Sequence, residues 1–241
     1  MTLEDQIQEQ MPVHPQTIGL GSNDRPGLVI VDLIKGFTKV GAGSLAPLAP
    51  NAQINSMISE VSSLSAQFHE KKHPTYFFKD SHHPEKYEPP YPPHCLKGTE
   101  EAEIVDELKW METSTHVTFL EKECINGFIG AMDENGQNHF IKWVKDHKLT
   151  HLIFTGICTD VCVMDLVLIS LSVRNRGFFG STLKEIIVYE PGCATFEINH
   201  QMCEKYTLPD SARHPQALAH HLGLYFMASR GAIIVDELKF A

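Results

Sequence analysis

Short runs rich in β-branched and aromatic residues alternate along this chain with longer segments of helical period, and that alternation restricts the fold more than any other feature. The run "PGLVIVDL" (26–33) has no polar residue on either face before Asp32. Such a strand has to be covered on both sides, as in a parallel sheet held between helices. Residues 51–71 place Ile54, Ile58, Val61, Leu64 and Phe68 at three-and-four spacing behind Asn51, which can cap the first turn, so an amphipathic helix is expected. "PTYFFKDS" (74–81) reads as the next strand, and strand-helix-strand order implies a parallel pair with a right-handed crossover. Helices are then expected over 139–148, 160–177 and 211–228, and strands over 149–158, 184–190 and 231–240. The expected fold is α/β: a single doubly wound domain over residues 26–241, with a roughly six-stranded, mainly parallel sheet and helices on both faces. Residues 1–25 read as a polar leader with little fixed structure.

Composition narrows the function. An apolar share of 42% in 241 residues supplies a sizeable core. Acidic residues exceed basic ones by 30 to 20 and are spread along the chain, so neither nucleic acid nor an anionic membrane has an electrostatic reason to bind. The most apolar stretch, "DLVLISLSV", is broken by serines and far short of a membrane span. "MTLEDQIQEQ" carries no export signal, and six scattered cysteines form no disulfide framework, so reduced thiols in the cytoplasm are expected. The chain has neither GxGxxG nor a Walker-type loop in the right context, so a nucleotide cofactor is not expected, and a small molecule is the expected partner.

In open parallel sheets, ligands bind outside the carboxyl ends of the strands. Asp32, Asp80 and the turn from Cys158 to Cys162 all fall at such ends and are expected to converge. Asp80 and His82 point to the same face of extended chain, with His83 facing away. His94 follows from the loop 83–99, whose prolines exclude helix and central strand. One carboxylate and two imidazoles suit zinc, iron or manganese with open positions, and Glu88 on the same loop is a candidate further ligand, directly or through water. The plainer alternative is a set of solvated turn caps. Cys162 lies in the first turn of an expected helix, where unpaired N–H groups and the dipole lower a thiol pKa and can hold an oxyanion; the plainer alternative is a small buried side chain. The four-residue spacing of Cys158 and Cys162 does not fit a zinc hairpin. Lys122, in "FLEKECINGF", reads locally as a surface lysine on a charged turn.

Taken together, "VIVDLIKGF", "KDSHHP", "YPPHCLKGTEEAEI", "EKECINGF" and "TGICTDVCV", in that order, resemble the isochorismatase-like cysteine hydrolases and, within them, the nicotinamidases of plants. The resemblance runs from about Gly27 to the C-terminus. It implies a triad of Asp32, Lys122 and Cys162: Asp32 takes the thiol proton, Lys122 stays charged beside it, and Cys162 attacks a carboxamide to form a thioester. It implies an oxyanion hole from the backbone N–H groups of Cys158 and Cys162, with a cis peptide between Ile157 and Cys158. It further implies one divalent metal, expected to be zinc, on Asp80, His82 and His94, and a substrate ring between Phe37 and Tyr91, where many relatives carry Trp in place of Tyr91. The implied reaction is hydrolysis of nicotinamide to nicotinate and ammonia, a step of NAD salvage, by a chain expected by analogy to form a homo-oligomer. The alternatives are a hydrolase of another small amide, such as a carbamoyl or ureido compound, and a silent ligand-binding protein of the same fold.

Overall fold

The computed structural model describes residues 2–86, 88, 89 and 91–241; residue 1 of the expected leader and residues 87 and 90 of the proline-rich loop lie outside this range. The seven strands are β1 (Gln16–Leu20), β2 (Pro26–Val31), β3 (Thr75–Asp80), β4 (Val117–Lys122), β5 (His151–Ile157), β6 (Glu185–Ala194) and β7 (Ile233–Phe240). The helices are α1 (Leu3–Gln10), α2 (Lys35–Thr38), α3 (Ala52–Glu70), α4 (Gly127–Gly130), α5 (His139–Asp146), α6 (Met164–Asn175), α7 (His200–Tyr206) and α8 (Gln216–Ala228). All strand pairs are parallel, in the order β1-β7-β6-β5-β2-β3-β4. From β2 the chain winds outward through β3 and β4, then returns to start again at β5 on the other side. The reversal makes the crevice between β2 and β5 a topological switch point.

The two-sided burial expected of β2 is complete: Leu28 and Ile30 pack on one face with Ile54, Met57, Val61, Leu64 and Phe68 of α3, while Val29 and Val31 pack on the other with Phe140 of α5 and Leu166 of α6. Each such buried side chain contributes about 1.5–3 kcal/mol. Asn51 caps α3 as expected, its side chain accepting from the Ile54 N–H at 3.0 Å. Met57 is fully buried, whereas Ile58 sits at the margin of the core.

The sheet has seven strands against an expected count of about six, and two of them, β1 and β4, fall outside the segments read as strands. β1 comes from the segment read as a loose leader; its pairing with β7, more than 200 residues away, orders it, and no local pattern announces such a partner. β4 comes from the segment read in part as a charged turn, and it forms the far edge beside β3. The helix expected over 160–177 opens instead with a single π-helical turn, Thr159–Val163, before α6. No helix among the described residues is long and apolar enough to cross a membrane.

Gly156 shows how closely β5 and β2 approach at the switch point. Its φ is +124°, and a Cβ there would lie 2.0 Å from the Val31 carbonyl oxygen. That atom is backbone of the strand carrying Asp32 and cannot swing aside. Gly156→Ala is therefore expected to cost about 4 kcal/mol or more, read as a shift of the urea unfolding midpoint. An unchanged midpoint would show that the two strands can separate freely at this point.

Candidate active site

Four neighbouring strand ends supply the polar groups. Asp32 follows β2 with φ 53°, in the left-handed region that a side-chain-bearing residue occupies only where its surroundings dictate. Its N–H donates to the Phe78 carbonyl at 2.9 Å, and its own carbonyl accepts from the Ile34 N–H at 2.7 Å, which together fix the turn. Asp80 closes β3 and Lys122 closes β4, opposite each other in register. Cys162 lies in the π turn after β5, immediately beyond the Ile157–Cys158 peptide, which is cis as the resemblance implies. π turns recur at functional sites because the widened turn redirects one side chain.

Lys122 is the centre of this arrangement. Its side chain is fully buried, with Nζ 2.9 Å from Asp32 Oδ2 and 3.0 Å from Asp80 Oδ1. The contact with Asp80 is a hydrogen bond, whereas that with Asp32 is an ion pair outside hydrogen-bond angles. Both Asp32 oxygens are buried, and neither meets hydrogen-bond geometry with a partner among the described residues. Burial raises the Asp32 pKa to about 6 against the pull of Lys122. Burial would lower the Lys122 pKa, but the charges of Asp32, Cys162 and Asp80 raise it well above the usual lysine range. The expectation of a surface lysine fails because the sequence does not reveal that "VTFLEK" is a strand packed into the sheet, nor that two carboxylates await its end.

The expectation of a lowered Cys162 pKa also fails. Burial pushes this thiol well above its ordinary value, and Lys122 offsets only part of the shift. Such surroundings favour the protonated form of the thiol. Cys158 is pushed up likewise, chiefly by burial. All six cysteines are free thiols. Cys193 and Cys203 are packed in the interior, and half-buried Cys124 donates to the Asn126 carbonyl.

Beside Lys122, the ligand atoms of Asp80, His82 and His94 all lie within 4.8 Å of one another. His82 Nε2 is 3.0 Å and His94 Nε2 3.2 Å from the same oxygen, Asp80 Oδ2. His94 Nδ1 donates to the Pro92 carbonyl at 2.8 Å, which orients Nε2 toward the cluster. Burial alone would raise the Asp80 pKa; Lys122 and the hydrogen bonds from His82 and His94 instead hold it well below the usual carboxylate range. A buried, ionised carboxylate and two imidazoles within a metal's reach are the donor set of an open divalent site. His83 points to solvent. Glu88 is placed differently: its Oε1 accepts from the Ile125 N–H at 2.8 Å, tying the proline-rich loop to the turn after β4. Phe37 and Tyr91 flank His94, with ring centroids 5.9 and 6.1 Å from its ring.

Comparison with known proteins agrees with this geometry. Residues 26–206 match the profile of the isochorismatase family, described as "Isochorismatase domain". The chain belongs to the isochorismatase family. Among curated relatives, it is 42% identical over 240 residues to nicotinamidase 1 of Arabidopsis thaliana, covering 99% of this chain and 97% of that one. Among solved structures of this fold, it resembles the nicotinamidase of Bacillus subtilis with a TM-score of 0.64 at 22% identity, covering 88% of this chain and 100% of that one. It also resembles a Pyrococcus horikoshii pyrazinamidase in complex with zinc, with a TM-score of 0.59 at 20% identity, covering 90% of this chain and 98% of that one.

Further polar contacts around the isochorismatase-family site escaped the sequence reading. Asp160, within the π turn, accepts from His214 Nε2 at 2.8 Å and from Thr195 Oγ1 at 2.6 Å. The only local signal was a capping residue between two cysteines; its partners lie 35 and 54 positions away.

Proposed function

We propose that this protein is a nicotinamidase that hydrolyses nicotinamide to nicotinate and ammonia, as a step of NAD salvage, with residues 26–241 as the hydrolase unit and β1 extending its sheet. One observation carries the reading: a single buried ammonium, Lys122, joins Asp32 at 2.9 Å to Asp80 at 3.0 Å, so the groups that handle a proton beside Cys162 and the set that can hold a metal form one constellation.

In this reading Cys162 Sγ is the nucleophile and Asp32 its base. The thiol proton moves to a buried Asp32 oxygen as Sγ attacks the carboxamide carbon. A carboxylate whose pKa is raised toward 6 accepts that proton more readily than an exposed one. Lys122 balances the charge shared by thiolate and carboxylate, and the backbone N–H groups of Cys158 and Cys162 hold the oxyanion. The tetrahedral adduct collapses with cleavage of the C–N bond, and Asp32 returns the proton to the departing nitrogen, which leaves as ammonia. Asp32 then takes a proton from the water that attacks the thioester carbon; the C–S bond breaks, Asp32 passes that proton to the departing sulfur, and nicotinate leaves with the thiol and the carboxylate restored.

The divalent metal held by Asp80, His82 and His94 is proposed to be zinc, with Glu88 a further ligand through water. When bound, it supplies a Lewis-acidic point that fixes the ring nitrogen of the substrate. Phe37 and Tyr91 are proposed to pack against the two faces of that ring. The protein is proposed to act in the cytoplasm, in keeping with its free thiols, and to assemble as a homo-oligomer.

The test is ammonia release from nicotinamide by the purified protein. Activity is expected, to fall by about a hundredfold or more after chelation, and to return when zinc is added back. Cleavage of ureido or carbamoyl compounds with nicotinamide untouched would sink the substrate assignment and leave a hydrolase. Inertness toward every small amide would favour a silent binding protein.

A further inference from the structure

We propose that His214 is a positioning residue for the hydrolysis: as an imidazolium bridging Asp160 and the Phe196 carbonyl, it locks the turn that carries Cys162. The inference rests on the reading of Cys162 as the nucleophile. Asp160 stands two positions before Cys162 in the π turn Thr159–Val163. His214 Nε2 lies 2.8 Å from Asp160 Oδ2, and His214 Nδ1 lies 2.7 Å from the Phe196 carbonyl oxygen. A carbonyl oxygen can only accept. The Asp160 carboxyl is ionised, because hydrogen bonds from His214 and Thr195 outweigh its burial and lower its pKa. Both ring nitrogens therefore donate, and an imidazole that donates from both is a cation.

The rest of the surroundings fix this cation in place. Its ring stacks on Phe196 with centroids 3.7 Å apart and an interplanar angle of 20°. A second tie joins the same turn to α8, where Thr159 Oγ1 and His220 Nδ1 lie 2.8 Å apart. Gly223 lets α8 come this close, since a Cβ there would lie 2.9 Å from Asp160 Cα. The turn is thus held by residues from the C-terminal third of the chain rather than by the strand it follows.

The charged and titratable groups around His214 are Asp160 from the turn, Glu197 beside Phe196, His220 on α8 and Arg213 next in the chain. Arg213 is engaged with Asp210 and His200, and the His220 pKa is lowered to about 4 by burial, so His220 is neutral. Burial opposes a charge on His214, but the Asp160 hydrogen bond and charge, the Phe196 carbonyl and Glu197 overcome it and raise its pKa. Because the folded-state pKa is raised, the lock is complete below the ordinary imidazole range and is lost as pH rises through the raised value.

Two measurements test this on the full chain, loaded with zinc. At about pH 6.5, His214→Gln is expected to lower kcat for nicotinamide about tenfold with KM nearly unchanged, because the variant loosens the nucleophile's turn and leaves the ring pocket intact. The wild-type to variant kcat ratio should fall toward one as pH rises through the His214 pKa. Amide hydrogen exchange of residues 158–164, read by mass spectrometry, should be faster in His214→Gln and in Asp160→Asn at low pH, and should converge with wild type at high pH. A kcat ratio that stays constant from about pH 6 to about pH 9, or exchange that neither substitution alters, overturns the inference. Wild type that releases no ammonia from nicotinamide overturns the proposed function instead, and the exchange measurement then decides this inference by itself.

Discussion

Cys162→Ala is expected to lower ammonia release from nicotinamide by about five orders of magnitude while leaving the fold intact. The magnitude follows from removing the nucleophile of a covalent mechanism, where what remains is only the rate enhancement from binding and the oxyanion hole. Stability should change little, because Cys162 is a small side chain at the margin of the core, 9% exposed, and its replacement by Ala removes a single atom. Cys162→Ser is the sharper variant. It keeps a hydroxyl beside Asp32 but loses the polarisable sulfur, so it should be nearly as inactive. A second consequence concerns labelling: with the thiol pKa raised by burial, alkylation of Cys162 should stay slow at neutral pH unless Asp32 removes the proton. Asp32→Asn should then slow alkylation further. Substantial turnover by Cys162→Ala would remove the thioester route and point to direct attack by water.

Lys122→Met is expected to destabilise the protein by about 3–5 kcal/mol and to abolish activity as well. In the wild type the ammonium separates two carboxylates, and the entirely buried Asp32 has it as its ion-pair partner. Without it, two negative charges remain in the interior, and the cost of removing one member of a buried ionic group is of the stated size. The loss should be largest at neutral pH and shrink as pH falls. With Lys122 gone, the Asp32 pKa should rise further above its unfolded value; a carboxyl with a raised folded-state pKa binds a proton preferentially in the native state, so lower pH favours folding through that group. The double variant Lys122→Met, Asp32→Asn should recover part of the lost stability, but none of the activity. Equal stability of Lys122→Met and wild type in urea unfolding across the pH range would contradict the buried three-residue arrangement.

The strands and helices that were legible in the sequence are those whose cause is local. The all-apolar face pair of residues 26–31 can only be satisfied between two layers, and the period of Ile54, Val61, Leu64 and Phe68 can only be satisfied by a helix with one buried face. Asp80 and His82 could be placed on one side because extended chain repeats every second residue. β1 and β4 were not legible, since each is short, partly polar and half-exposed, and each owes its order to a neighbouring strand supplied by distant chain.

The α/β architecture, the placing of Asp32, Asp80 and the Cys158–Cys162 turn at strand ends, and the residue types suited to amide hydrolysis are thus written in local pattern. The state of those residues is set by their neighbours in the folded chain. Lys122 becomes a buried bridging ammonium, Cys162 a thiol whose pKa burial raises and Asp160 a partner of His214 because burial and paired charge depend on what the fold brings within about 3–4 Å, where Coulomb energies and desolvation outweigh local propensity. Spacing along a chain carries no record of those distances.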